Sequence, residues 1–264
     1  MPVVKADGAD IDIVQMGRGR DLVLLHSLLT DRSAFDKVAP ALAQTHRLSL
    51  VNLPGYGASA PAGPAIEDYA DRIAGMFTAL GLNKDTDVLG NGFGGFIATT
   101  LAARHGDKFR RLVIADALVA FPEPAKQPLR ILADKVREQG MEGALDIAIR
   151  RMFPEAFIAA NPEIVAERKH ALKQADPESF RGACLALAGL DFQSVLADIR
   201  NPTLVMAGAL DMTTPAALAR QLAAGIPGAQ FTEIADCGHC PQIEKPEAFV
   251  ALVNDFLNQG TDVV

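Results

Sequence analysis

The chain has 264 residues, about half of them apolar, which is enough for one large α/β domain or a domain with a modest insertion. A formal charge of −7 without any basic stretch argues against nucleic acid and anionic membrane as partners, and no apolar run approaches the ~20 residues of a membrane span. Three cysteines (Cys184, Cys237 and Cys240) and the absence of an apolar leader at the N-terminus fit a reducing compartment, so the expected location is the cytoplasm.

Residues 9–15 alternate in polarity and end at Gly17-Arg18-Gly19, which predicts a strand and turn. Residues 21–26 form a continuous apolar run, as expected of a strand covered on both faces. A short helix is expected from Ser33 to Ala39, ending near Pro40. Residues 47–52 predict a strand closed by Pro54-Gly55-Tyr56-Gly57, and residues 66–80 have helical periodicity that stops at Gly81. A short apolar run, a glycine-dense turn and a second helical segment follow over residues 86–96, and residues 111–115 predict the next strand. Strand and helix alternate to this point, which implies a mostly parallel sheet with helices on both faces.

The pattern then changes. Prolines at 122, 124, 128, 154, 162 and 177 punctuate helical segments at 130–139, 141–152, 162–173 and 177–187, with no convincing strand between them. This reads as an all-helical insertion, residues 121–190, within a core made of residues 1–120 and 191–264. Alternation resumes with a strand at 203–207, a helix at 215–224, a strand at 229–234 and a closing helix at 246–257.

The turn Gly90-Asn91-Gly92-Phe93-Gly94-Gly95 has two readings. Gly90, Gly92 and Gly95 satisfy the dinucleotide fingerprint, and Asp116 ends the next strand where a ribose-binding acid belongs, which would make the chain an NAD(P)-binding protein. That fingerprint usually opens a sheet, whereas here three predicted strands come first. Gly90-x-Gly92-x-Gly94 also has the spacing of a nucleophile elbow, G-x-S-x-G, with glycine in place of the serine. The elbow reading requires an acid after a later strand and a histidine after the last one. Asp211 and His239 stand at those places.

On the His26-Ser27 loop, Pro54 to Ser59, the glycine turn, Gly208 to Asp211 and Gly238 to Phe249, the chain resembles the α/β-hydrolase fold family over nearly its whole length. The wording His-Ser-Leu…Thr-Asp looks like the enol-lactonase branch. The resemblance implies an α/β-hydrolase core with a helical cap at 121–190, an Asp211–His239 pair, and an oxyanion hole from the backbone N–H groups of Leu28 and Phe93. It implies no cofactor and no metal. Three positions depart from the pattern: Gly92 stands at the nucleophile, Ser27 where many members have glycine, and Asn52 where an aspartate often begins the Pro-Gly loop.

Glycine at position 92 relaxes a strained turn, which is expected where activity has lapsed. It also opens a space beside His239 that would admit a water for His239 to activate. Ser27 and Cys240 are conceivable substitute nucleophiles, but neither lies on the elbow. Cys237-Gly238-His239-Cys240 has redox-motif spacing in the wrong fold context, and its expected role is to line the histidine loop. Phe121, Met141, Met152, Phe153 and Phe157 are candidates to line a pocket under the cap. The leading function is a hydrolase acting on a small, largely apolar ester, lactone or ketone. The alternative is a non-catalytic ligand binder on the same scaffold. The partner expected in either case is a small molecule.

Overall fold

The structure, a computed structural model, describes residues 3–259. Among the described residues eight strands form one sheet: β1 (Val3–Ala6), β2 (Ala9–Gly17), β3 (Arg20–Leu25), β4 (His46–Val51), β5 (Asp87–Asn91), β6 (Leu112–Ala115), β7 (Thr203–Gly208) and β8 (Gln230–Ile234). Their spatial order is β1-β2-β4-β3-β5-β6-β7-β8. The β1–β2 and β2–β4 pairs are antiparallel, and every pair from β4–β3 onward is parallel. Sequence reasoning missed β1, which hairpins back through Asp7-Gly8 and is too short to show a period of its own.

The parallel strands are buried on both faces, so alternate residues feed two cores. Val23, Leu25, Val88, Ile114 and Val205 face one side, while Leu22, Leu24, Leu89, Val113 and Met206 face the other. The described residues form eleven α-helices: α1 (Ala39–Leu42), α2 (Ile66–Leu80), α3 (Phe93–His105), α4 (Glu123–Gln139), α5 (Leu145–Met152), α6 (Glu155–Ala160), α7 (Pro162–Lys173), α8 (Pro177–Gly189), α9 (Ala216–Gly225), α10 (Pro241–Glu244) and α11 (Pro246–Leu257). Side chains of α2, α3 and α9 join the first core, and Phe249, Val253 and Phe256 of α11 join the second. Five consecutive helices, α4 to α8, lie between β6 and β7.

Some boundaries differ from expectation for local reasons. The helix expected over 33–39 is instead a 3₁₀ turn, Arg32–Phe35, capped by Asp31, followed by the one-turn α1 with Pro40 in its first turn. Helix α4 begins at Glu123 and carries Pro128 inside it, so that proline did not delay the helix start. The short α6 begins directly after Pro154, one of the prolines that punctuate the helical insertion, and α10 begins at Pro241.

The strand order reverses between β3 and β5: β4 lies on the far side of β3, and β6 on the far side of β5. Open α/β sheets bind ligands at the carboxyl edge beside such a switch point. Leu25 pairs with Gly90, so the loop leaving β3 and the turn leaving β5 emerge side by side. Their close approach needs glycine. A Cβ on Gly94 would lie 2.2 Å from the carbonyl oxygen of Leu25 and 2.7 Å from that of His26, and the Gly94 N–H donates to His26 O at 2.9 Å.

Candidate active site

Four strands deliver their carboxyl ends to one cleft. Gly92, after β5, has φ 53° and ψ −117°, a left-handed conformation that costs a side-chain-bearing residue of order 1–3 kcal/mol. Asp211 follows β7 and His239 follows β8, and both are buried. His239 Nδ1 lies 2.8 Å from Asp211 Oδ2. That carboxylate also accepts from the N–H groups of Thr213 and Thr214, at 2.7 and 3.1 Å, and from Thr214 Oγ1 at 2.6 Å. Burial pushes the Asp211 carboxyl up, but the neighbouring imidazole and these donors outweigh it and hold the group below the usual carboxylate range.

The main chain of His239 is anchored at both ends. Its N–H donates to Met152 O at 2.9 Å, and its carbonyl accepts from Asn91 Nδ2 at 3.0 Å. Asn91 also donates to Asp116 Oδ2 at 3.1 Å and accepts from Gln242 Nε2 at 2.9 Å. Asp116, fully buried at φ 54°, accepts from the Gly208 N–H at 2.9 Å. Burial, and next the negative charge of Asp211, push its carboxyl well above the usual range. Asp116 is therefore a buried acid beneath the His239 pair, with no opening for a ribose. The dinucleotide reading loses its acid, because both carboxylate oxygens of Asp116 already accept from Asn91 and the Gly208 N–H.

The carboxylates of Asp116 and Asp211 and the imidazole of His239 approach within 4.8 Å of one another, but the carboxylate oxygens already accept from Asn91, the Gly208 N–H, Thr214 and the His239 ring. Cys237 and Cys240 are free and buried, and burial followed by nearby carboxylates pushes both thiols up, away from the reactive thiolate.

The loop after β3 closes the cleft opposite. His26 Nδ1 lies 2.8 Å from Ser27 O, and the Leu53 N–H donates to His26 Nε2 at 3.0 Å. Those contacts fix the proton on Nδ1, and burial lowers the His26 pKa to about 4, so the ring is neutral. Tyr56 Oη donates to Leu28 O at 2.5 Å. Asn52, which replaces an aspartate in the resembled pattern, donates instead to the buried Asp12 at 2.8 Å, so the carboxylate comes from β2. Among the described residues, the N–H groups of Leu28 and Phe93 meet no protein acceptor.

The space expected beside Gly92 is filled. Ser27 Oγ lies 3.4 Å from His239 Nε2. A Cβ built on Gly92 would sit 2.5 Å from that oxygen and 2.7 Å from Nε2. Gly92→Ser is accordingly expected to lower stability by about 1–3 kcal/mol, because it restores backbone strain and must displace Ser27. Denaturant titration checks this, and equal or greater stability contradicts the placement of the turn.

Above Gly92 a narrow cavity of about 20 Å³ is walled by Phe93, Phe96, Phe121, Leu129, Leu132 and Leu187, with Arg151 and Thr213 beside His239. The Arg151 side chain makes no ion pair with a described residue, and burial lowers its pKa. Of the expected lining residues, only Phe121 reaches this pocket. Met152 and Phe153 face a neighbouring cleft, Phe157 stacks on Phe153, and Met141 is core. Asn91, Thr214 and Arg151 were not singled out from sequence. Asn91, inside the glycine turn, and Thr214, three residues past Asp211, stood where a signal was available; Arg151 did not.

A family model described as the alpha/beta hydrolase family matches residues 22–252. A pimeloyl-[acyl-carrier protein] methyl ester esterase of Aromatoleum aromaticum is 31% identical over 249 residues, 90% of this chain and 98% of its own. A 2-hydroxy-6-oxo-2,4-heptadienoate hydrolase of Pseudomonas putida is 28% identical, covering 97% and 95% of the two chains. Among solved structures, an enol-lactonase from Burkholderia xenovorans superposes with a TM-score of 0.90 at 27% identity, covering 98% of this chain and 100% of the other. No helix among the described residues is long and apolar enough to cross a membrane.

Proposed function

The chain belongs to the alpha/beta hydrolase family, and we propose that it hydrolyses small, largely apolar esters, lactones or ketones at the cleft between Gly92 and His239. The observation that carries this reading is the line of contacts from Asp211 through His239 to the mouth of the Gly92 turn, beside two unengaged N–H groups. Asp211 holds the proton on Nδ1 of His239, which leaves the Nε2 lone pair facing the cleft. Nε2 is the general base toward an oxygen nucleophile. As the substrate carbonyl becomes tetrahedral, the N–H groups of Leu28 and Phe93 take up the charge on its oxygen. Both are main-chain donors, so glycine at position 92 leaves them in place.

Residues 121–190 act as a cap over the pocket, since α4 and α8 supply Leu129, Leu132 and Leu187 to its wall. That wall suits an apolar acyl or alkyl chain, and Arg151 suits an anionic group on the same substrate. Esterase and lactonase relatives support a carboxylic ester or lactone. The test is a panel of short esters and lactones, with and without a terminal carboxylate. Hydrolysis that depends on His239 is expected. Arg151→Leu is expected to raise KM about tenfold for the carboxylate-bearing ester only, the size of one charge-assisted hydrogen bond.

A non-catalytic binder is the second reading, favoured by the missing hydroxyl at Gly92. It leaves the buried Asp211–His239 pair, an arrangement costly to desolvate, without a use. Failure of the whole panel to be turned over would favour it.

A further inference from the structure

The geometry points to Ser27 as the nucleophile, with the acyl-enzyme forming on the loop after β3 rather than on the turn after β5; this rests on the hydrolase reading above. Ser27 Oγ faces His239 Nε2 at 3.4 Å, a separation typical of a nucleophile–base pair before substrate tightens it. The oxygen lies 2.5 Å from where a Cβ on residue 92 would stand. The hydroxyl that the turn lacks is therefore supplied across the cleft, into the space that a Cβ at position 92 would crowd.

Ser27 is also held as a nucleophile should be. Its carbonyl accepts from the Thr30 N–H and Thr30 Oγ1, each at 3.2 Å, and from the neutral His26 ring at 2.8 Å. The backbone is thereby pinned, and the side chain rotates only about χ1. The unengaged N–H of Leu28 follows Ser27 directly, as that of Phe93 follows Gly92, so exchanging the hydroxyl between the two loops keeps both donors at the reacting carbon.

Each step balances. Ser27 Oγ bonds to the carbonyl carbon while its proton passes to His239 Nε2 and the carbonyl π pair moves to oxygen. The tetrahedral species collapses, the bond to the leaving oxygen breaks, and that oxygen takes the proton from Nε2. Water then attacks the Ser27 ester, Nε2 accepts its proton, and collapse releases the carboxylic acid as Oγ is reprotonated.

The test is labelling with an alkyl p-nitrophenyl phosphonate, followed by intact mass and peptide mapping, beside turnover of a short p-nitrophenyl ester. One adduct per chain is expected on Ser27, slowed roughly 10³-fold by His239→Ala. Ser27→Ala should carry no adduct and lose turnover by a similar factor. The pair Ser27→Ala with Gly92→Ser should regain part of it, with the adduct now at position 92. An adduct elsewhere in the wild type, or no adduct, overturns the assignment. So does Ser27→Ala hydrolysing the ester at the wild-type rate; His239-dependent turnover would then still uphold the hydrolase reading. Absence of any turnover defeats both.

Discussion

Replacing His239 with alanine is expected to lower kcat for ester hydrolysis roughly 10³-fold, within the range a positioned general base supplies, and to leave KM within about twofold. That is about 4 kcal/mol of transition-state stabilisation. The split between kcat and KM follows from the structure: the imidazole meets the cleft only at Nε2, while the pocket wall that would hold substrate is mostly phenylalanine and leucine. Asp211→Asn should cost roughly 10²–10⁴-fold, because it lets the ring adopt the wrong tautomer with little change of shape. Steady-state kinetics of the two variants and the double variant check this. If the two residues act as a unit, the losses will not add. A wild-type kcat in His239→Ala would remove the base from the account.

Gly94→Ala is expected to cost about 3 kcal/mol or more, at the upper end of what overpacking does. The added methyl would enter the carbonyl oxygen of Leu25 at 2.2 Å and its carbon at 2.4 Å, both backbone atoms that cannot swing aside. Relief requires pushing α3 from β3, and that shift also moves Leu28 relative to Phe93. A displacement near 1 Å at those donors is expected to lower kcat about 10²-fold in whatever protein stays folded. Gly182→Ala is the control. A Cβ there meets nothing within 4 Å in the middle of α8, so it should be neutral or stabilising by about 0.5–1 kcal/mol. Urea unfolding of both variants checks the contrast, and equal stabilities would contradict the tight strand–loop–helix contact.

Much of this was legible in the chain. The runs at 21–26 and 203–207 are too apolar for strands with a wet face, so a parallel sheet followed, and Gly81 marks the end of α2 through its φ of 64°. The glycine turn, the acid after β7 and the histidine after β8 stood in the order the elbow demands. What stayed hidden was lateral. Nothing in the local sequence shows that Leu25 pairs with Gly90, and without that register the Ser27 hydroxyl cannot be aimed at His239. Asp116 looked like a cofactor ligand because spacing alone does not reveal that Asn91 and Gly208 already occupy its carboxylate. Asp12 offers a carboxylate to Asn52 from 40 residues away, a replacement that no motif window spans.

Most direct is a crystal structure of the unaltered protein with a short alkylboronic acid, a mimic of the tetrahedral intermediate. The boronate should sit in the cleft at Gly92, one oxygen within about 3 Å of the amide nitrogens of Leu28 and Phe93 and another at Nε2 of His239. A boronate bound elsewhere, or with its oxygens turned from both amides, would contradict a hydrolytic centre at this turn.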